Sequence, residues 1–461
     1  MRNLLFLKVF IIASAGSIAG CSASAIAPET EQLRLPEEWA RGGEVGTVGV
    51  DWLTAFDDGQ LIALVSEALT GNYQLEQERA RLYQAEQVVV ITRANRFPDL
   101  DVSLGGSRRS IEDAGSASVF SESFDASLDT RWQTDLWGRL SKQQQAAQLD
   151  YSAQLARLEQ AERELAAATA SLVFDVMASR QLLEVARRRL NNTVESMDIV
   201  SSGYRQGLND ALDLYLARNQ VERQQANHAE AAQTYTESIA SLQLSLARYP
   251  DGKLELHDEL PVIDEPIPAG LPSELVTRRS DLQAAWLNLL SADADLAAAH
   301  KARFPSLSLV GSTDVASTEF SNLLDGDGGG WSIAGNLTQP LFQAGRLKAL
   351  EAQALASVQI AEQQYLDLVF RAFSDVENAI SRSTSLKERY ESLLEAESNS
   401  AAALDLALEQ YQRGLVSYTT VLESQRQAFD AEAQVVQLKN QRLQNRIALF
   451  LSLGGEFTIG E

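Results

Sequence analysis

Few residues of this chain are of a type and spacing that could do chemistry. Its histidines, His228, His257 and His300, are scattered, and no serine, cysteine or carboxylate stands at a spacing that would make any of them a catalytic base. The stretch Asp325-Gly326-Asp327-Gly328-Gly329-Gly330 looks superficially like a calcium or phosphate loop, but it lacks the ligand spacing and the strand-to-helix setting such loops need. It reads instead as a flexible loop at the outer face. The single cysteine, Cys21, cannot close an internal disulfide, and no Cys/His cluster offers a metal site. We therefore read no enzyme, no cofactor and no metal centre from the sequence. Lys and Arg total 39 against 63 Asp and Glu, a net charge of −24, which argues against a nucleic-acid partner because a polyanion needs a basic face.

Cys21 stands at an informative place. Arg2 and Lys8 flank the start of the apolar run Val9-Phe10-Ile11-Ile12-Ala13, and small residues follow up to Cys21. This is a secretory signal by length and composition. The segment Ile18-Ala19-Gly20-Cys21 resembles a bacterial lipobox with Ile at its first position, which implies cleavage before Cys21 and acylation of its sulfur and new amino group. Ser22 follows, not the Asp that retains many lipoproteins at the inner membrane, so the resemblance favours the outer membrane. The alternative is an ordinary signal peptide with Cys21 incidental.

The rest of the sequence must position something other than a catalytic centre. Arg96-Phe97-Pro98 recurs as Arg303-Phe304-Pro305, Gly138-Arg139 as Gly345-Arg346, and Tyr204 with Gly207-Leu208 as Tyr411 with Gly414-Leu415. Every pair is 207 positions apart, so the chain is a duplicated unit. We divide it into a signal peptide (1–20), a lipid-anchored N-terminal segment (21–60), repeat 1 (61–250), a Pro-rich linker (251–272), repeat 2 (273–453) and a C-terminal tail (454–461).

Within each repeat, Gly and Pro are absent from 140–202 and from 346–413. Helices of that length would run about 95–100 Å, longer than any compact domain of this size could hold. Each should fold back at Gly207 or Gly414 onto a helix of about half its length, with the remaining half-helices stacked end to end beside it. Between helices lies a hairpin, at about 97–136 and again at about 304–343. Along 124–136, Phe124, Ala126, Leu128, Thr130, Trp132, Thr134 and Leu136 alternate with Asp125, Ser127, Asp129, Arg131, Gln133 and Asp135. A soluble antiparallel sheet would alternate in the same way. Strand lengths near the ~9–11 residues that cross a bilayer, aromatic residues near the strand ends and Gly/Ser-rich loops favour a membrane barrel. Four strands cannot close a barrel, and open edges are forbidden in lipid, so copies must assemble. Two copies would leave an interior filled by side chains or holding at most one small ligand, whereas three leave an aqueous lumen.

Arg96-Phe97-Pro98, Asp135-Leu136-Trp137-Gly138-Arg139, Gln339-Pro340-Leu341-Phe342 with Gly345-Arg346, and Tyr411-Gln412-Arg413-Gly414-Leu415 together resemble the TolC-like outer-membrane efflux proteins, specifically their lipidated NodT-type branch. Gly270-Leu271-Pro272-Ser273-Glu274-Leu275 with Arg278-Arg279-Ser280-Asp281 resembles the start of that family's second half, with Ser280 where Pro is usual. The resemblance covers essentially the whole mature chain. It implies a mainly α protein with membrane β: a homotrimer whose twelve-stranded β-barrel in the outer membrane of a Gram-negative bacterium continues into a periplasmic α-helical barrel. It further implies an exit duct for an inner-membrane transporter, usually of the resistance-nodulation-division type, joined through a periplasmic adaptor (membrane fusion protein). Matched to the family, the periplasmic gate falls on Thr419 and Glu423, i and i+4 on one helix face, where three copies of Glu423 would form an acidic ring. Asp210 and Asp213 occupy the corresponding region of repeat 1. The plain alternative for all four is solvated helix surface. The tips at Gly207, Leu208, Arg413, Gly414 and Leu415 would receive the adaptor, or the glycines only cap helices. Two other readings stay open: the exit duct of a type I protein-secretion system, and a lipid-anchored periplasmic helical scaffold without a pore.

Overall fold

The structure is a computed structural model that describes residues 36, 38–40, 42, 52–111, 119–208, 210–257, 259–263, 267, 269–270, 272–324 and 329–455. Cys21 and the signal segment, the loop positions Asp325–Gly328 and the tail beyond Gly455 lie outside the described residues. The chain divides into Met1–Glu37 and Glu38–Glu461, and every element below belongs to the second unit.

Asp58 opens the first helix, α1 (Gly59–Gly71), by accepting hydrogen bonds from Gln60 N and Leu61 N. Asn72 then breaks the chain into an extended residue and caps α2 (Tyr73–Ala94). Next come strands β1 (Asp99–Ile111) and β2 (Val119–Thr134), the 67-residue helix α3 (Arg139–Arg205) and the 35-residue α4 (Ala211–Ser245). Repeat 2 copies this order with α5 (Pro272–Arg278), α6 (Ser280–Lys301), β3 (Ser306–Ser317), β4 (Gly329–Thr338), α7 (Arg346–Gln412, again 67 residues) and α8 (Tyr418–Ser452, again 35 residues). Each long helix spans about 100 Å.

The segment 273–304, free of internal Gly and Pro, does not form one helix. Arg279 adopts an extended conformation between α5 and α6, and its guanidinium is held by Asp281 at 2.7 Å and Asp375 at 3.5 Å and reaches the Ser452 carbonyl at 3.4 Å. It stands 207 positions after Asn72, whose amide donates to the Ser245 carbonyl at 3.0 Å. At both junctions a polar side chain satisfies the last carbonyls of a half-helix end, which is how two short helices lie in line beside one long one.

The four strands form one antiparallel sheet in the order β1-β2-β3-β4, with both edges free in the single chain. β1 and β2, at 13 and 16 residues, run longer than a bilayer crossing requires. The repeat is kept in the register itself: Asp99 pairs with Arg131 and Ser306 with Thr338, a shift of 207 on both partners. Away from the sheet the core lies where α1, the middle of α3 and the end of α8 meet, with the Phe56 and Phe174 rings 5.1 Å apart and Trp52 stacked on Phe450 at 5.9 Å. Ala166, Ala167 and Ala170 are buried there, which lets the helices approach closely.

Candidate functional site

Three places along the molecule carry chemistry suited to a passage: the sheet, its junction with the helices, and the far helix tips. In the sheet, pairing aligns side chains of like kind. Leu100, Val102 and Leu104 of β1 face Thr130, Leu128 and Ala126 of β2, which face Gly311, Thr313 and Val315 of β3, and these face Ile333, Trp331 and Gly329 of β4. One side of the sheet is therefore apolar. Its large members stand open, Leu104 and Trp331 at 76% and Ile333 at 77%, so this surface demands an apolar environment. The opposite side carries Asp99, Asp101, Asp125, Asp129 and Asp314 against the two cations Arg109 and Arg131, and Asp101 pairs directly across from Asp129.

At the junction the two repeats make the same bonds with different residues. Trp132 donates to the Arg96 carbonyl at 2.9 Å, and Gln339, 207 positions on, donates to the Arg303 carbonyl at 3.1 Å. The Arg96 guanidinium reaches Gln144 at 2.7 Å, and that of Arg303 reaches Glu351 at 2.7 Å. The duplicated Arg-Phe-Pro motif thus ties the strand start to the long helix. His300, scattered in sequence, joins Glu351 at 2.6 Å and belongs to this brace. Gly138 and Gly345 start the long helices at φ 74° and 84°. Asp135 accepts from Leu140 N and Ser141 N, both at 2.8 Å, and so caps α3.

At the far tips, Gly207 and Gly414 sit at φ 73° and 72°, and Leu208 N donates to the Gly203 carbonyl at 2.8 Å as Leu415 N does to the Gln410 carbonyl at 2.9 Å. This is the six-to-one bond of a helix ended by a left-handed residue. Leu208 and Leu415 point outward, exposed. The expected docking residues Gly207, Leu208, Arg413, Gly414 and Leu415 therefore occupy two matching turns. The hairpins meet in one small core, where Val200, Leu214 and Ala217 of repeat 1 pack with Tyr418 and Val421 of repeat 2.

Thr419 is exposed and its hydroxyl lies 2.6 Å from that of Ser417. Glu423 is also exposed, and it is not alone on its face: Arg426 donates to it at 2.6 Å and Gln427 at 2.9 Å, bonds that hold its carboxyl below the usual range. Arg426 continues to Asp430 at 3.3 Å, and Asp430 to Arg189 of α3 at 3.0 Å. Arg426 thus answers both Glu423 and Asp430. Asp210 caps α4 through Leu212 N at 2.5 Å. Partial burial, then the neighbouring Asp210, pushes the Asp213 carboxyl up.

Sequence reasoning missed Tyr418, Arg426 and the buried Gln425, whose amide donates to Asn192 and Ser196, both at 2.7 Å. Tyr418 lies 5.7 Å from the Tyr411 ring, and burial first, then Tyr411 and Asp213, raise its phenol to about 12. Arg426, three residues after Glu423, was open to an i,i+3 reading. The partners of Gln425 sit more than 200 positions away and left no local signal.

Comparison with known proteins gives a consistent result. The model of the family described as outer membrane efflux protein matches residues 64–248 and 271–455. The cation efflux system protein CusC of Escherichia coli is 29% identical over 462 residues, 95% of this chain and 96% of its own. The probable outer membrane lipoprotein SilC of Salmonella typhimurium is 29% identical over 464 residues, 97% of this chain and 98% of its own. Among solved structures, the open-state MtrE outer membrane channel of Neisseria gonorrhoeae superposes with a TM-score of 0.81 at 27% identity, covering 92% of this chain and 96% of its own.

Proposed function

This chain belongs to the outer membrane efflux protein family, and on that premise we propose that three copies close around water to form the exit duct of a tripartite efflux system. It is an outer-membrane efflux channel, as its relatives are. The observation that carries the homotrimer is the repeated register together with two unpaired edges. Within the chain, repeat 1 meets repeat 2 through β2–β3 and through α3 packing on α6 and α8. Shifted by 207 residues, the same contacts would join β4 to β1, and α7 to α2 and α4, of a second copy. Such a head-to-tail contact gives a ring or an open filament, and lipid, which tolerates no unpaired sheet edge, selects the ring. α7 leaves Ile360 and Phe370 exposed, and α2 leaves Val90 and Ile91, as surfaces awaiting that neighbour.

In this assembly the apolar face of the sheet meets lipid and the aspartate-bearing face lines the lumen, so the duct favours cationic and neutral solutes. A periplasmic adaptor docks on the tips at Gly207-Leu208 and Arg413-Gly414-Leu415, and an inner-membrane transporter of the resistance-nodulation-division type supplies the energy. Thr419 and Glu423, with Asp210 and Asp213, form the periplasmic gate, where Arg426 offsets the charge of Glu423 while it is shut. Cys21 carries covalent lipid, a reading supported by SilC being named a lipoprotein. The test is native mass and conductance of the detergent-purified protein. We expect a three-copy mass and single-channel steps in planar bilayers; a monomer without conductance would overturn the duct.

A further inference from the structure

Immediately below the ends of β2 and β4 lies a cleft of about 350 Å³ bordered by both repeats. Its lining includes the cations Arg139, Lys301 and Arg346 and the apolar Trp137, Phe304 and Leu350. Arg139 and Arg346 are the same position in the two repeats, the first residue of each long helix. The partners found for the three cations are neutral: Arg139 reaches Gln143 at 3.4 Å, Arg346 reaches Gln343 at 2.6 Å, and Lys301 reaches the Trp137 carbonyl at 2.5 Å. The one carboxylate in the lining, Asp135, is occupied by the α3 N-terminus and by the Ser141 hydroxyl at 2.5 Å. Lys142 and Lys348 follow within the first turn of each long helix. This local excess of positive charge stands in a chain of net charge −24. Between the lining residues Pro340 and Gln343, Leu341 and Phe342 are exposed at 91% and 88%.

We propose that this cleft binds the headgroup of an anionic phospholipid. The phosphate would sit among Arg139, Lys301 and Arg346, the glycerol against Trp137 and Phe304, and the acyl chains would run upward past Leu341 and Phe342 along the apolar face of the sheet. The inference rests on the sheet lying in the outer membrane. Charge complementarity selects the ligand, since a zwitterionic lipid offers no net charge to three uncompensated cations, and a basic cluster at the edge of an apolar band is where anionic headgroups gather. The apolar lining residues and the exposed Leu341 and Phe342 distinguish a lipid from free phosphate. Three copies would carry three such sites, each joining the two repeats of one subunit at the level where the barrel meets the helices.

The test is native mass spectrometry of the full-length protein in detergent, titrated with phosphatidylglycerol or phosphatidylcholine, with inorganic phosphate as competitor. Wild type is expected to retain phosphatidylglycerol in preference to phosphatidylcholine. The triple variant Arg139→Gln, Lys301→Gln, Arg346→Gln is expected to lose on the order of a hundredfold in phosphatidylglycerol affinity, about fivefold per charge. The variant Arg223→Gln, Arg382→Gln, Lys387→Gln, with exposed sites elsewhere on the helices, removes equal charge and is expected to bind as wild type does. Equal retention of phosphatidylcholine, displacement by phosphate at matched concentration, or an unaffected triple variant would each overturn the lipid site. The same spectra report assembly, so loss of lipid with a normal three-copy mass is distinguishable from failure of the channel reading.

Discussion

Tyr418 fills the small core that joins the two tips, yet its hydroxyl has no hydrogen-bond partner among the described residues. A buried hydroxyl left unpaired costs free energy, while the ring contributes packing. Tyr418→Phe is therefore expected to be neutral or to stabilise by about 1–3 kcal/mol, and Tyr418→Ala to cost about 3–5 kcal/mol. Urea melts of the purified protein, with hydrogen exchange at the tip amides to localise the effect, would check both. The Glu423–Arg426 pair makes a second expectation of opposite signs. If the gate narrows there, Glu423→Gln leaves the cation dominant and lowers the preference of the pore for cations, whereas Arg426→Gln raises it. Reversal potentials in a salt gradient measure this, and shifts of the same sign in both variants would remove these residues from the passage.

The elements follow from where backbone donors and acceptors are satisfied. Long helices stop at Gly207 and Gly414 because there the chain reverses through the left-handed region, which costs a residue with a Cβ about 1–2 kcal/mol. An added Cβ at Gly414 would meet nothing within 4 Å, so the constraint is conformational and not steric. Gly414→Asn is accordingly expected to keep efflux, since Asn tolerates this region, and Gly414→Val to abolish it while leaving assembly and membrane insertion intact. Drug-susceptibility assays beside a crosslinking gel separate the two outcomes. The turns and long helices were legible in the sequence because their signals are local, an absence of breakers followed by a glycine. The break at Arg279 was not, because its cause is an ion pair with Asp375 and a bond to Ser452 from distant parts of repeat 2.

For the whole molecule, the constant shift of 207 turns an internal register into an external one. Arg131 pairs with Val310 between the repeats, so Thr338 of one copy is expected to pair with Ser103 of the next. The double variant Ser103→Cys, Thr338→Cys, made with Cys21→Ser, should yield covalent oligomers up to three copies on oxidation. Leu104→Cys with Thr338→Cys should not, because a slip of one residue places the thiols on opposite faces. Non-reducing gels read the difference, and the reverse pattern would refute the proposed ring.

Duplication, two rod-like helices and a sheet with one apolar side were all determined by residue type and spacing, since helix propensity, glycine turns and two-residue alternation act over a few neighbouring positions. What fills the space between those elements was decided only in three dimensions. Asn72 and Arg279 perform the same task with different chemistry. Trp132 and Gln339 do likewise, and Glu423 has its charge answered by Arg426 and, through Asp430, by Arg189 across the helix pair. Local pattern fixes the path of a backbone, whereas the partner of a polar side chain depends on which distant segment packing brings within about 3 Å of it.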